Sequence, residues 1–288
     1  MEPLGCRPTA LVLPGGASLG SWQAGCMYGL TQRHKLSFHS VFGTSVGALN
    51  GCAYLQDTFE RLQKIWCHVR TSDLLKFRPR LRPLSLFSQE HMRRYLSRLV
   101  DEERARRLKR CWFYVVSTDI ASGKIHQACY SPEPDGPWDS PLVEHLLGSV
   151  SIPFVLPPVR IDLNGAGYRL LIDGQAKSYV NLWPAIARGV KDLVFLNVIH
   201  PSELSTPGLG LRSYISTLNN QLLQGQIDHS LESIRAAGLK DVRAYVFHPS
   251  KPLMLRSLKF DGECNRAFAL GVEDADRSIS DPEPFRVL

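Results

Sequence analysis

The pentapeptide Gly43-Thr44-Ser45-Val46-Gly47 joins a short apolar run, Ser40 to Phe42, to a stretch with Val46, Leu49 and Ala53 on one helical face. A G-x-S-x-G sequence in that setting predicts a sharp strand-to-helix turn. Glycines clear the space and the serine hydroxyl projects from a strained corner. The following helix aims its N-terminal dipole at negative charge developing beside the serine. Ser45 is therefore a candidate nucleophile. The pattern alone is equally compatible with a turn that uses glycines for close packing, so its meaning depends on the rest of the chain.

Strand and helix signals alternate along the 288 residues. Thr9 to Leu13 is a β-favouring run ended by Pro14. The stretch after it repeats Leu19, Trp22, Gln23, Cys26, Met27 and Leu30 at helical spacing. Trp112 to Val116, Leu193 to Val198 and Arg243 to Phe247 are further apolar runs suited to buried strands, whereas Pro132 to Pro141 reads as a loop. This order predicts an α/β protein with a mostly parallel sheet covered on both faces. With 44% hydrophobic residues, the chain can bury the core of one domain spanning residues 1–288.

Two other segments bear on Ser45. Gly15-Gly16-Ala17-Ser18-Leu19-Gly20 follows the first strand. It lacks the Lys-Ser/Thr ending of a P-loop and has Ala17 at the second glycine of a dinucleotide fingerprint, which disfavours nucleotide binding. The same geometry suits backbone donors for a tetrahedral oxyanion. Downstream, Leu170-Leu171-Ile172 runs into Asp173-Gly174-Gln175. Read alone, Asp173 is a turn former. Brought beside Ser45, it could take the hydroxyl proton directly, provided burial raises a carboxyl that ordinarily titrates near 4.

Charge is concentrated. Residues 76–110 hold twelve Lys/Arg against four Asp/Glu, a balance of +8 in a chain of net charge +7, which leaves −1 elsewhere. A solvated face is one reading. Contact with an anionic membrane is the functional one, since Leu84, Leu86 and Phe87 lie beside the charges. Nucleic acid is not expected, because no binding motif accompanies the patch. The seven cysteines show neither a disulfide framework nor zinc-ligand spacing, and Cys26, Cys52 and Cys111 read as core residues. No leader-like start and no apolar run of about 20 residues occur, which predicts a cytoplasmic protein with peripheral membrane contact at most.

Three motifs in order resemble the patatin-like phospholipase family. Gly15 to Gly25 resembles its oxyanion-hole segment, Gly43 to Asn50 its nucleophile elbow, and Asp173-Gly174 its catalytic aspartate motif. Ser117 to Gly123 is similar to the family's T-D-x-x-x-G segment. Ser149 to Val159 is similar to its S-x-A-I-P-x-x-F-P-P-V stretch, with Ser151 for alanine and Leu156 for phenylalanine. The resemblance runs from Leu11 to about Val198. It implies a three-layer α/β/α sandwich and hydrolysis of lipid acyl esters through an acyl-enzyme, without metal or other cofactor. Ser45 would be the nucleophile, Asp173 its base, and Gly15, Gly16 and Ala17 the oxyanion donors. Gly20, Gly43, Gly47 and Gly174 would support the motifs. Apart from the resemblance, residues 56–110 interrupt the strand-helix alternation between the elbow and the Trp112 strand, which predicts a basic helical cap there, and 205–288 are expected as a C-terminal helical region.

The chain departs from the family pattern at three places. Ala17 replaces a glycine, at a cost of about 1 kcal/mol if its φ is positive. Leu19 replaces a basic residue, and Gln175 a small one. Two alternatives stand beside the Ser-Asp dyad. One is a Ser-Asp-His triad with His200 or His248 as base; the other is a catalytically weak or inactive scaffold that docks on a membrane or a protein partner.

Overall fold

The protein is described here by a computed structural model covering residues 2–163, 167–204, 211–253, 255 and 258–288. Its first half runs β1 (Thr9–Leu13), α1 (Gly20–Tyr28), β2 (Ser40–Thr44), α2 (Val46–Leu55), α3 (Phe59–His68), α4 (Thr71–Leu74), β3 (Phe77–Leu81), β4 (Leu84–Phe87), α5 (Gln89–Leu99) and α6 (Glu102–Leu108). The second half runs β5 (Trp112–Asp119), β6 (Lys124–Tyr130), α7 (Leu142–Ser149), β7 (Val159–Asp162), β8 (Tyr168–Asp173), α8 (Trp183–Ala187), β9 (Asp192–Leu196), α9 (Leu211–Ala236), β10 (Arg243–Phe247) and α10 (Cys264–Ser280).

The main sheet has the order β10-β9-β1-β2-β5-β8-β7, with β6 also paired to β5. From β10 to β5 all neighbours are parallel; β6, β7 and β8 join antiparallel. The central strands are buried on both faces, and their residues alternate between two cores. Leu11, Leu13, Phe113, Val115, Val194 and Leu196 face a core with α1, α2 and α10. Ala10, Val12, Trp112, Tyr114, Leu193 and Phe195 face one with α8 and α9. That period of two, with helices on each side, is the three-layer α/β/α sandwich expected from the resemblance.

Strand order reverses at β1: the chain moves outward through β2 and β5, then returns to place β9 and β10 on the other side. Loops at the carboxyl ends of strands around such a switch point diverge and leave a crevice. The loops after β1 and β2 carry Gly15-Gly16-Ala17 and Ser45.

Two expectations about the flanks need revision. Residues 56–110 are not wholly helical, because β3 and β4 form an antiparallel hairpin between α4 and α5. Pro79 and Pro83 remove backbone donors and disfavour a helix there. The C-terminal region contains α9 and α10 but also β10, and its residues 205–210 lie outside the described residues.

Candidate active site

Ser45 stands between β2 and α2 with φ 54° and ψ −127°, a conformation strained for any residue but glycine. Close packing holds it there. A Cβ at Gly47 would come within 2.1 Å of Leu13 O, and one at Gly43 within 2.5 Å of Ala48 Cα. Similar contacts, 2.6 Å to Val46 Cγ1 and 2.6 Å to Val116 O, exclude a side chain at Gly20 and Gly174. The Ser45 N–H donates to Ser149 Oγ at 2.8 Å, and Ser149 Oγ–H donates to Val116 O at 2.6 Å. Behind the turn, Asn50 Nδ2 donates to Gly20 O and Gln23 Oε1, while Trp66 Nε1 donates to Asn50 Oδ1. Gln23 in turn donates to Pro14 O. This buried network ties the elbow helix α2 to α1, α3 and the end of β1.

Asp173 ends β8, opposite Ser117 on β5, and its N–H donates to Ser151 O at 2.9 Å. Its side chain is buried and accepts from the Gln175 N–H at 2.8 Å. Burial pushes the carboxyl up to about 6, against the opposing hydrogen bonds from the Ser45 hydroxyl and the Gln175 N–H. Residues 128 positions apart thus meet as a hydroxyl and a carboxyl of raised basicity.

Gly15 and Gly16 link β1 to a 3-10 turn at Ala17–Leu19. Gly16 has φ 143°, and a Cβ there would lie 2.8 Å from Val198 Cγ2. Ala17 has φ 49°, so the departure from glycine falls at a left-handed position. A Cβ at Gly15 would meet Ser45 Cβ and Gln175 Oε1, each at 3.2 Å. Gln175 therefore lies against the glycine turn. Its Nε2 donates to Leu222 O on α9, and its Oε1 is buried without a hydrogen-bond partner.

Beside Ser45 an apolar cavity opens, of ≈ 1060 Å³ when the open solvent at its mouth is included. Ala17, Leu49, Leu62, Trp66, Met92 and Leu96 are among its walls, so α3 and α5, both within residues 56–110, help to line it. Asp173 and Gln175 are not part of that wall.

His200 and His248 lie elsewhere. Their rings meet edge to face with centroids 6.2 Å apart, His200 Nδ1 contacts Ser202 Oγ, and His248 Nδ1 contacts Pro249 O. Neither lines the cavity, and the hydrogen-bonding groups recorded at Asp173 include no histidine. Among the described residues no group of three or more His, Cys, Asp or Glu is placed to hold a metal ion. No helix among them is long and apolar enough to cross a membrane.

Ser149 and Gln226 escaped the sequence reading as supports of the site. Ser149 lay inside the family-like stretch, which was the available signal; Gln226, whose Nε2 donates to Thr44 Oγ1 at 3.0 Å, had none.

Fold and site together define an α/β/α sandwich protein with a serine at a strained elbow beside a buried aspartate. The family model of patatin-like phospholipase matches residues 11–186, more than half of the chain. The chain belongs to the patatin-like phospholipase family, whose general activity is lipid acyl hydrolysis. Among solved structures it is similar to VipD from Legionella pneumophila, at 12% identity over 97% of this chain and 67% of that one, with a TM-score of 0.47. No curated protein matches.

Proposed function

We propose that the chain is a lipid acyl ester hydrolase of the phospholipase A or esterase type that works through a Ser45–Asp173 dyad. The observation that carries this reading is the pairing of the Ser45 hydroxyl, on a strained elbow, with a buried carboxyl pushed up to about 6. Asp173 accepts the proton as Ser45 Oγ attacks the ester carbonyl, then returns it to the departing alcohol. Backbone N–H groups of Gly15, Gly16 and Ala17 stabilise the oxyanion, together with the N-terminal dipole of α2. Water then releases the fatty acid by the same proton route. The acyl chain occupies the cavity, whose apolar wall offers it the hydrophobic gain of leaving water.

In this reading residues 1–288 are one domain. Residues 56–110 cap the acyl chain, the protein works from the cytoplasm at a membrane surface, and it needs neither metal nor nucleic acid. The histidine triad loses support because His200 and His248 are engaged with each other and with loop groups. One observation favours the scaffold reading: Gln175 Oε1 occupies the space beside Gly15 and Ser45 that a Cβ on Gly15 would meet at 3.2 Å. A serine-reactive fluorophosphonate probe separates the two. Labelling that disappears in Ser45→Ala supports the hydrolase, and a folded protein that never labels supports the scaffold. Turnover lost in Asp173→Asn but kept in His200→Ala and His248→Ala supports the dyad; loss in either histidine variant overturns it.

A further inference from the structure

The basic segment divides into two parts of different character. After the hairpin several arginines are committed internally: Arg93 pairs with Glu144, Arg94 with Glu90, and Arg110 with Asp57 while lying over Tyr54. The hairpin has no such commitments. Lys76, Arg78, Arg80 and Arg82 enter no ion pair among the described residues, and no Asp or Glu occurs between Lys76 and Ser88.

The same hairpin exposes large apolar side chains between its cations. Every residue of β3 is exposed; Phe77 is 67% and Leu81 88% accessible, and Leu84 of β4 is 54% accessible. Phe154, 67% accessible, sits beside them, because the Leu86 and Phe87 N–H groups donate to Phe154 O and Val155 O at 3.0 Å. β4 is anchored by buried Ser85 and half-buried Phe87, so the bare part of the ribbon is β3 with Leu84 and Leu86, and exposed apolar side chains grouped in this way mark a surface that something covers.

Its roots identify what that something is. Leu74 and Leu75, just before β3, belong to the cavity wall, as does Met92 in the helix that follows β4. Ile152 and Val155, on either side of Phe154, belong to it too. The apolar surface of the arm is therefore continuous in sequence with the lining proposed to hold an acyl chain.

We propose that the β3–β4 hairpin, with Phe154, is a lipid-docking arm that seats on an anionic bilayer and holds the cavity against it. This rests on the lipid-hydrolase reading above. The guanidinium groups pair with headgroup phosphates and carboxylates, while Phe77, Leu81 and Leu84 enter the boundary between headgroups and acyl chains. A nucleic-acid surface fits less well. The hairpin offers no Asn or Gln for base edges, and Leu81, Leu84 and Leu86 expose aliphatic surface that neither bases nor phosphates would cover.

The test uses the full chain and flotation with phosphatidylcholine vesicles, with and without phosphatidylserine. Replacing Arg78, Arg80 and Arg82 together by glutamine is expected to weaken partition onto the serine-lipid vesicles about 100-fold, since each cation near such a surface contributes about a fivefold factor. Phe77→Ser with Leu81→Ser is expected to weaken it as well, and added salt should oppose only the charged component. Both variants keep hydrolysis of a short soluble ester, which reports an intact fold and site. Unchanged vesicle binding in both variants overturns the arm. So does tighter binding of an oligonucleotide than of vesicles, lost in the arginine variant. A wild-type chain that floats with vesicles yet neither labels with the probe nor cleaves the soluble ester overturns the hydrolase reading and leaves the flotation result to decide the arm.

Discussion

The backbone N–H of Ser45 donates to Ser149 Oγ, and the same hydroxyl passes its own hydrogen to Val116 O on β5. A side chain from α7 thereby locks the strained elbow to the neighbouring strand. Ser149→Ala strips a buried donor and a buried acceptor of their partner at once, which costs about 1–3 kcal/mol. Thermal denaturation should show that loss, and turnover should fall with it. Ser149→Thr, which keeps the hydroxyl, should restore part of both; equal damage by both variants would rule out the hydrogen bond as the cause.

Strain at Ser45 gives a second expectation. With φ 54° and ψ −127°, a glycine fits the elbow better than any residue with a Cβ. Ser45→Gly and Ser45→Ala should both abolish probe labelling, and the glycine variant should be more stable than the alanine variant by about 1 kcal/mol. Denaturant unfolding measures the difference. Equal midpoints would contradict the strain.

The strain at Ala17 can be read from stability alone. Its φ of 49° penalises a methyl group, so Ala17→Gly should gain about 1 kcal/mol, less the entropy that glycine returns to the unfolded chain. A lower melting temperature for that variant would show that the methyl's packing outweighs its strain.

Asp173 links activity to stability through pH. The unfolded aspartate titrates near 3.9, while burial pushes the folded carboxyl up to about 6. Between those values the folded state holds more protons than the unfolded one. Stability therefore falls as pH rises through the window, and the full deficit, about 3 kcal/mol, is present above about pH 6. Asp173→Asn removes the buried charge and should raise the melting temperature at about pH 8 while eliminating turnover. In the intact protein, kcat/KM for a soluble ester should climb tenfold per pH unit below about 6 and level off above it. A profile flat across that region would remove Asp173 as the base.

Gln175 should govern what leaves. Its side chain crosses from the Asp173 turn to Leu222 O and fills the space that a side chain at Gly15 would need. Gln175→Ala should favour esters with bulky alcohols over p-nitrophenyl acetate by about tenfold, a difference of about 1.4 kcal/mol in barrier. An unchanged preference would place the leaving group elsewhere.

Much of the fold could be read in advance because it rests on local rules. Thr9–Leu13 and Arg243–Phe247 are strands at the residues named, and the alternation of apolar runs anticipated the parallel sheet. The Ser45 turn was legible because glycines at close approaches leave a short-range signature. The hydrogen bond from Ser45 to Ser149 spans 104 residues and the one from Gln226 to Thr44 spans 182, so no spacing rule reaches them. The hairpin was hidden for another reason. Its charges belong to one run with those of α5 and α6, and composition cannot tell an arginine held by Glu144 from one facing water.

The wall of the cavity and the proposed dyad come from different stretches of chain. Ser45 and Asp173 hang from the sheet, whereas Leu62, Trp66, Met92 and Leu96 belong to helices inserted between β2 and β5. In the proposed hydrolase the insert acts as a gauge mounted on a fixed anvil: enlarging or shrinking one of those four side chains would reset how much hydrocarbon fits, while the blow would be struck in the same place.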